Sequence, residues 1–294
     1  MDWADISSWP NADLSRRVQG PIHRWHIQEA GKGETMLLLH GAGGSTHSYR
    51  RLIAPLSEHQ HVIALDLPGH GFTQLGARHR STLDGMAQAI AALCAQEGWT
   101  PRTIVGHSAG AAVALRLVQP DLTPSDHVPM VIGLNAALGE FPGLAGVVFP
   151  IIAKALAAVP FTASLFSGAS GNPKRIEALI RSTGSTLDAE GLELYRRLVA
   201  DRAHVDGTLL MMAQWKLPPL LRALPDHKGP VRFIVGEQDA TVPPTVSLTT
   251  AKSMPDARVT NLPDLGHLAH EEDPATVADL ILGFVDAAQG ATPT

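Results

Sequence analysis

Three residue types that can together break an acyl bond stand in one order along this 294-residue chain: Ser108, then Asp239, then His267. A serine hydroxyl is a weak nucleophile until a neighbouring base takes its proton, and a carboxylate must hold that base in the right tautomer. Ser108 lies in TIVGHSAGAAVALRL (103–117), where Gly106, Ser108 and Gly110 make G-x-S-x-G between a β-branched apolar run and an alanine- and leucine-rich stretch. Strand, sharp turn and helix is the setting in which this pattern lifts a serine to the apex of a turn. Alone it also fits a small residue filling a crowded corner, so its partners must discriminate. In a parallel α/β sheet they should follow as acid and then base, on loops at the carboxyl ends of later strands. VRFIVGEQDATVPP sets Asp239 three residues past Gly236, and RVTNLPDLGHLAHEEDP sets His267 between the last strand-like run and the final helical one. Singly, Asp239 would read as a turn carboxylate and His267 as a surface histidine. In the required order they read as a triad. His270, one turn on and inside the start of the final helix, is a rival base; Asp264 is a rival acid that reads as a turn residue.

Acyl transfer also needs donors aimed at the developing oxyanion, each contributing roughly 10²–10³ in rate. LLLHGAGGSTHS (37–48) follows an early strand-like run with glycines that allow backbone N–H groups to face a pocket. The donors are assigned to Ala42 and Ala109, with His40, Gly41, Gly43 and His107 around them. His40 is expected to brace the loop and His107 to shape the turn. A phosphate-binding loop is the competing reading, and it fails on detail. No Lys-Ser/Thr pair is present, and Thr46 stands where the third glycine of G-x-G-x-x-G would follow Gly43. Fourteen histidines invite a metal, yet neither H-E-x-x-H nor a Cys/His cluster supplies ligand spacing. No metal or cofactor is therefore expected.

These residues need a scaffold. TMLLLH (35–40), HVIALD (61–66), RTIVG (102–106), PMVIGLN (129–135), VRFIVG (231–236) and ARVTNL (257–262) are short apolar runs, and helical patterns near 47–58, 81–97, 109–119 and 275–288 alternate with them. Such alternation argues for an α/β fold with a mostly parallel sheet covered on both faces. IHRWHIQE (22–29) reads as an early, partly exposed strand pair. Between about Glu140 and Lys228 the rhythm breaks into helical patterns such as PKRIEALIRST (173–183) and AEGLELYRRLVADR (189–202). An all-helical insertion between two strands is a cap, so residues 1–139 and 229–294 are assigned to the core and 140–228 to the cap.

Composition bounds the function. With 45% hydrophobic and 17% charged residues the chain can bury a large core, and a formal net charge of -5 without a basic stripe argues against nucleic acid. The single cysteine, Cys94, excludes an internal disulfide and suits a reducing cytoplasm; the acidic start MDWADISSWPN does not read as a secretory signal. The run LAGVVFPIIAKALAAVPFTASLF (144–166) is long enough to span a membrane, but Pro150, Lys154 and Pro160 interrupt it. It reads better as a greasy lid, with peripheral contact at the inner membrane as the lesser reading. Phe149 from this run, with Met211, Met212 and Trp215, is assigned to a large apolar pocket; ordinary packing of cap on core fits the same residues equally well.

HGAGG, DLPGHGFT (66–73), GHSAG, GEQDATVPP and GHLAHEEDP together resemble the α/β-hydrolase superfamily, in the right order over nearly the whole chain. The resemblance implies an eight-stranded, mostly parallel sheet flanked by helices, with a helical cap inserted after the sixth strand. A departure is Ala111, where a second glycine often follows Gly110. WPNADLSRRVQ (9–19), RWHIQEAGKGETMLLLHGAGGSTHSYR and the stretch 183–225 resemble the magnesium-chelatase accessory family of bacteriochlorophyll-synthesis clusters. That implies a role near magnesium insertion into protoporphyrin, with chelatase subunits as partners, and no defined reaction. Lacking a P-loop, the chain is not expected to be the ATP-driven motor. Two functions follow: a serine hydrolase acting on an ester or related acyl compound, or a non-catalytic tetrapyrrole-binding protein. Serine at the nucleophile position argues against dehalogenase and epoxide-hydrolase chemistry, which in related enzymes uses aspartate.

Overall fold

Strands of a sheet covered on both faces should be apolar on both sides, and the register bears this out. A computed structural model describes residues 1–123, 128–139 and 172–290. Its strands are β1 (Ser15–Gln19), β2 (Arg24–Ala30), β3 (Thr35–Leu39), β4 (His61–Leu65), β5 (Pro101–His107), β6 (Met130–Leu134), β7 (Val231–Gly236) and β8 (Ala257–Leu262). They form one sheet in the order β1-β2-β4-β3-β5-β6-β7-β8. The pairs β1–β2 and β2–β4 are antiparallel, and the remaining neighbours are parallel.

Alternate residues of each central strand feed two separate cores. Leu37 and Leu39 of β3, Ile63 and Leu65 of β4, and Val231, Phe233 and Val235 of β7 face one layer. Met36 and Leu38, Val62 and Ala64, and Ile234 face the other. The helices are α1 (Ile53–Ser57), α2 (Leu83–Glu97), α3 (Ala109–Leu117), α4 (Pro173–Arg181), α5 (Ala189–Ala200), α6 (Arg202–Gln214), α7 (Pro218–Ala223), α8 (Thr245–Lys252), α9 (Ala269–Glu272) and α10 (Pro274–Gly290). Residues of α2, α3, α6 and α7 pack in the first layer, and those of α1 and α10 in the second. The helices α4 to α7 are inserted between β6 and β7.

The early strand pair is β1 with β2, so one partner lies upstream of the expected 22–29, in SRRVQ. The helical pattern at 47–58 resolves into a 3₁₀ turn, Thr46–Tyr49, and the short α1. His270 lies on α9 rather than in the final helix, because Asp273, which precedes Pro274, leaves the helical region at φ -133 and ψ 75. The apolar run 144–166, with Phe149, falls outside the described residues. Among the described residues, no helix is long and apolar enough to cross a membrane.

Candidate active site

Parallel register brings the carboxyl ends of five strands to one rim. Leu39 of β3 pairs with Gly106 of β5, His107 with Leu134 of β6, Leu134 with Ile234 of β7, and Gly236 with Leu262 of β8. Ser108, Asp239, His267 and the glycine turn at 41–44 each follow one of these ends.

Ser108 joins β5 to α3 at φ 50 and ψ -116, a conformation L-residues rarely adopt. Such strain, typically about 1–3 kcal/mol, persists only where the surroundings enforce it. The enforcement is visible. Ser108 N–H donates to the Leu134 carbonyl (2.9 Å), while its own carbonyl accepts from Ala111 N–H and Ala137 N–H (3.1 Å each). Both flanking glycines are sterically required. A Cβ on Gly106 would meet Ala111 N at 2.5 Å, and one on Gly110 would meet the Leu39 carbonyl at 2.1 Å. Among the described residues the Ser108 hydroxyl makes no hydrogen bond, and the side chain is partly exposed. Ala111 is fully buried, its methyl within the core layer under α3.

Asp239 and His267 meet directly: Nδ1 of His267 lies 2.7 Å from Oδ2 of Asp239. An ionised carboxylate only accepts, so Nδ1 carries the proton and Nε2 is left for another partner. The other carboxylate oxygen, Oδ1, accepts from the Thr241 and Val242 N–H groups at 2.8 Å each. Their loops are locked together. A Cβ on Gly236 would strike the Gly266 carbonyl at 2.3 Å, and Gln238 N–H donates to the Leu265 carbonyl. Of the rivals, His270 is buried on α9 with its ring tilted against that of His107, centroids 4.5 Å apart, while Asp264 sits in the turn after β8. Burial pushes the His270 imidazole down to about 3, so it stays neutral.

The loop after β3 is a tight turn in which Gly44 N–H donates to the Gly41 carbonyl (3.0 Å). Gly43 takes φ 76 at its third position, as a type II turn requires. His40 braces this turn. Its Nε2 accepts from Leu67 N–H at 2.9 Å, so Nδ1 holds the proton and donates to the Gly41 carbonyl at 2.8 Å. Both nitrogens of His40 are thus engaged and its ring is fully buried. The turn abuts the serine: a Cβ on Gly41 would come within 3.0 Å of Ser108 Cβ and 2.9 Å of His107 Nδ1. Ala42 is exposed on it, and Ala109 opens α3, where the first N–H groups have no partner inside the helix. His107 turns its Nε2 to the His267 carbonyl (2.9 Å), tying the serine turn to the base loop, and is buried there.

The apolar pocket assignment fares unevenly. Met211 is fully buried in the sheet-side core and Trp215 packs against that layer, so ordinary packing accounts for both. Met212 is partly exposed.

Four contributors escaped the sequence reading. Asn135, just past β6, donates from Nδ2 to Asp239 Oδ2 at 2.8 Å. The Thr183 carbonyl, from the inserted segment, accepts from both Ala240 N–H (3.1 Å) and His267 N–H (3.3 Å), and Ser185 Oγ accepts from Leu268 N–H at 2.8 Å. His204 of α6 accepts from Gly71 N–H at 3.0 Å, so its Nε2 donates to the Gly43 carbonyl at 3.2 Å and ties the glycine turn to the insertion. Thr-Gly-Ser at 183–185 carries a faint signal: Gly184 takes φ 83, and a Cβ there would meet the Gln238 carbonyl.

A serine on a strained turn, a carboxylate one strand later than β6 and a histidine after the last strand follow the order of the α/β hydrolases. A family model described as alpha/beta hydrolase fold matches residues 34–274, and the chain belongs to that family. Within it, the chain is 44% identical over 282 residues to the magnesium-chelatase 30 kDa subunit of Rhodobacter capsulatus, spanning 95% of this chain and 97% of that one. It is 26% identical to 2-(acetamidomethylene)succinate hydrolase of Mesorhizobium japonicum, over 97% of this chain and 99% of the relative. Among solved structures, an esterase from Exiguobacterium antarcticum superposes with a TM-score of 0.76 at 16% identity, covering 93% of this chain and all (100%) of that one; this likeness concerns the fold alone.

Proposed function

We propose that this protein is a serine hydrolase acting on an ester or related acyl compound, working as an accessory protein to magnesium insertion in tetrapyrrole synthesis. The observation that carries the catalytic part is the 2.7 Å Asp239–His267 pair beside the strained Ser108 turn. Its likeness to a magnesium-chelatase subunit supports the biological part and suggests chelatase subunits as partners. Segment 140–228 serves as the cap.

In this reading Ser108 Oγ attacks the acyl carbon while its proton passes to His267 Nε2, with Asp239 stabilising the imidazolium. The oxyanion takes hydrogen bonds from Ala42 and Ala109 N–H. As the intermediate collapses, His267 returns the proton to the leaving alkoxide and the acyl group stays on Ser108. Water, deprotonated by His267, then attacks the acyl-enzyme, and as the second intermediate collapses His267 returns that proton to Ser108 Oγ and the carboxylic acid leaves.

A fluorophosphonate probe tests the chemistry: it should label the wild-type protein and not Ser108→Ala. Absence of labelling in both would overturn the activated nucleophile. Expressing Ser108→Ala in a strain deleted for the protein tests its use. Failure to restore pigment synthesis is expected, whereas restoration would mean the protein serves by binding a tetrapyrrole.

A further inference from the structure

Asn135 is an unexpected residue where it stands. It follows β6 at φ 46, in the left-handed region, and is about 1% exposed. Asparagine tolerates that region better than most residues, but glycine would do so without burying an amide. The side chain therefore needs a reason beyond the turn. Its Nδ2 donates to Asp239 Oδ2 at 2.8 Å, the same oxygen that His267 Nδ1 approaches at 2.7 Å. The amide orientation is set by this contact, since reversing it would bring Oδ1 against a carboxylate oxygen. With Thr241 and Val242 N–H on Oδ1, the carboxylate accepts four hydrogen bonds. The backbone of Asn135 is also anchored, its N–H donating to the Ile234 carbonyl at 2.9 Å. The titratable groups around the pair are His107 from the end of β5, its ring 4.8 Å from that of His267, His270 from α9, and Glu272, whose Oε1 accepts from Gly266 N–H at 2.9 Å; burial keeps both imidazoles neutral.

We propose that Asn135 is a positioning residue that holds Asp239 toward His267 and sets how strongly the carboxylate attracts the imidazolium. This rests on the triad reading above. A donor on Oδ2 draws off part of the carboxylate's negative charge, so less of it stabilises a proton on His267. Asn135 thus keeps the base neutral, and able to accept the serine proton, at lower pH. It trades imidazolium stabilisation for availability of the base.

The test is the second-order rate of fluorophosphonate inactivation against pH, for wild type, Asn135→Gly and Asn135→Asp. Glycine removes the amide without straining a positive φ; aspartate keeps the shape and adds a like charge beside Asp239. The midpoint of the acidic limb should move to higher pH by about half a unit in Asn135→Gly and by about one unit or more in Asn135→Asp. A merely structural asparagine would lower the thermal midpoint, or the amount of active protein, and leave the pH midpoint unmoved. Unchanged midpoints in folded variants therefore overturn the inference while the hydrolase reading stands. If wild type is not labelled at any pH, both fall together. If Asn135→Gly does not fold, the isosteric Asn135→Asp decides by the same shift.

Discussion

At the scale of single residues, the Ser108 turn sets local stability against chemistry. Its φ of 50 is imposed by hydrogen bonds on both sides and by two glycines that no larger residue can replace. A glycine at 108 would occupy the same backbone conformation at no steric cost, whereas alanine would keep the strain. Ser108→Gly should therefore melt above Ser108→Ala, by a margin on the order of 1 kcal/mol after the entropy of the added glycine is subtracted. Both variants should be inert to fluorophosphonate. The comparison is made by thermal denaturation of the two variants side by side, and equal or inverted melting temperatures would mean that the turn stores no strain.

At the scale of elements, the inserted helices meet the core at a buried cluster. Arg50, after the 3₁₀ turn, pairs with Glu271 of α9 at 2.6 Å, and Tyr195 of α5 donates its hydroxyl to the same carboxylate at 2.7 Å. Asp188 and Glu190 also face Arg50, each at 3.7 Å. Arg50 thus faces three carboxylates, two of which, Asp188 and Glu190, Arg51 also holds, and burial pushes the Glu271 carboxyl up to about 7 although Arg50 pulls it down. Because the folded value lies above the ordinary 4.5, the folded state holds this proton more tightly than the unfolded one. Its contribution to stability is full below about pH 4.5 and is lost as pH rises through 7. Relative to Glu271→Gln, which lacks this titration, wild type should lose thermal stability steadily as pH rises from about 4.5 to 7. The slope is the readout, since the variant also deprives Arg50 of its closest partner; parallel profiles would dismiss the effect. This joint had no sequence signature. Adjacent acids in HEEDP read as a helix start, and nothing in them marks which one reaches Arg50 across more than 200 residues. The same holds for Asn135, which reads as an ordinary residue after a strand, and for the Thr183 carbonyl, whose contacts are made by backbone. By contrast, the central strands were legible because burial on both faces demands continuous apolar runs. The strand-end positions of Ser108, Asp239 and His267 were legible because apolar runs and chain order are visible without coordinates. Polar SRRVQ was missed as β1 because an edge strand need bury only Val18.

At the scale of the whole molecule, buried imidazoles dominate the response to acid. His40, His47, His70, His107, His204 and His270 are all at most about 5% exposed, and burial lowers every one below the ordinary 6.5. For His204 the value falls to about 4 and for His270 to about 3. These rings are held neutral by what surrounds them: His40 and His204 each use one nitrogen to accept a backbone N–H, which a charged ring could not do. His70 lies between them, 5.3 Å from each ring, so protonating any one raises the cost for the others. In the unfolded chain the same histidines bind protons below pH 6.5. Their folded values are depressed, so their contribution to stability is full above about 6.5 and is lost as pH falls toward 4. Glu271 acts in the opposite sense over the same range, but as one carboxyl against six imidazoles it cannot offset them. Denaturant unfolding at stepped pH should therefore give a stability that falls steeply between pH 6 and 4.5, with a slope equivalent to uptake of about three or more protons. The loss should arrive as one cooperative transition, because the histidines link the glycine turn, the insertion and the base loop rather than lying in one element. A slope of one proton or less would mean that these rings accept protons in the folded protein, and would remove the basis for treating them as neutral parts of the site.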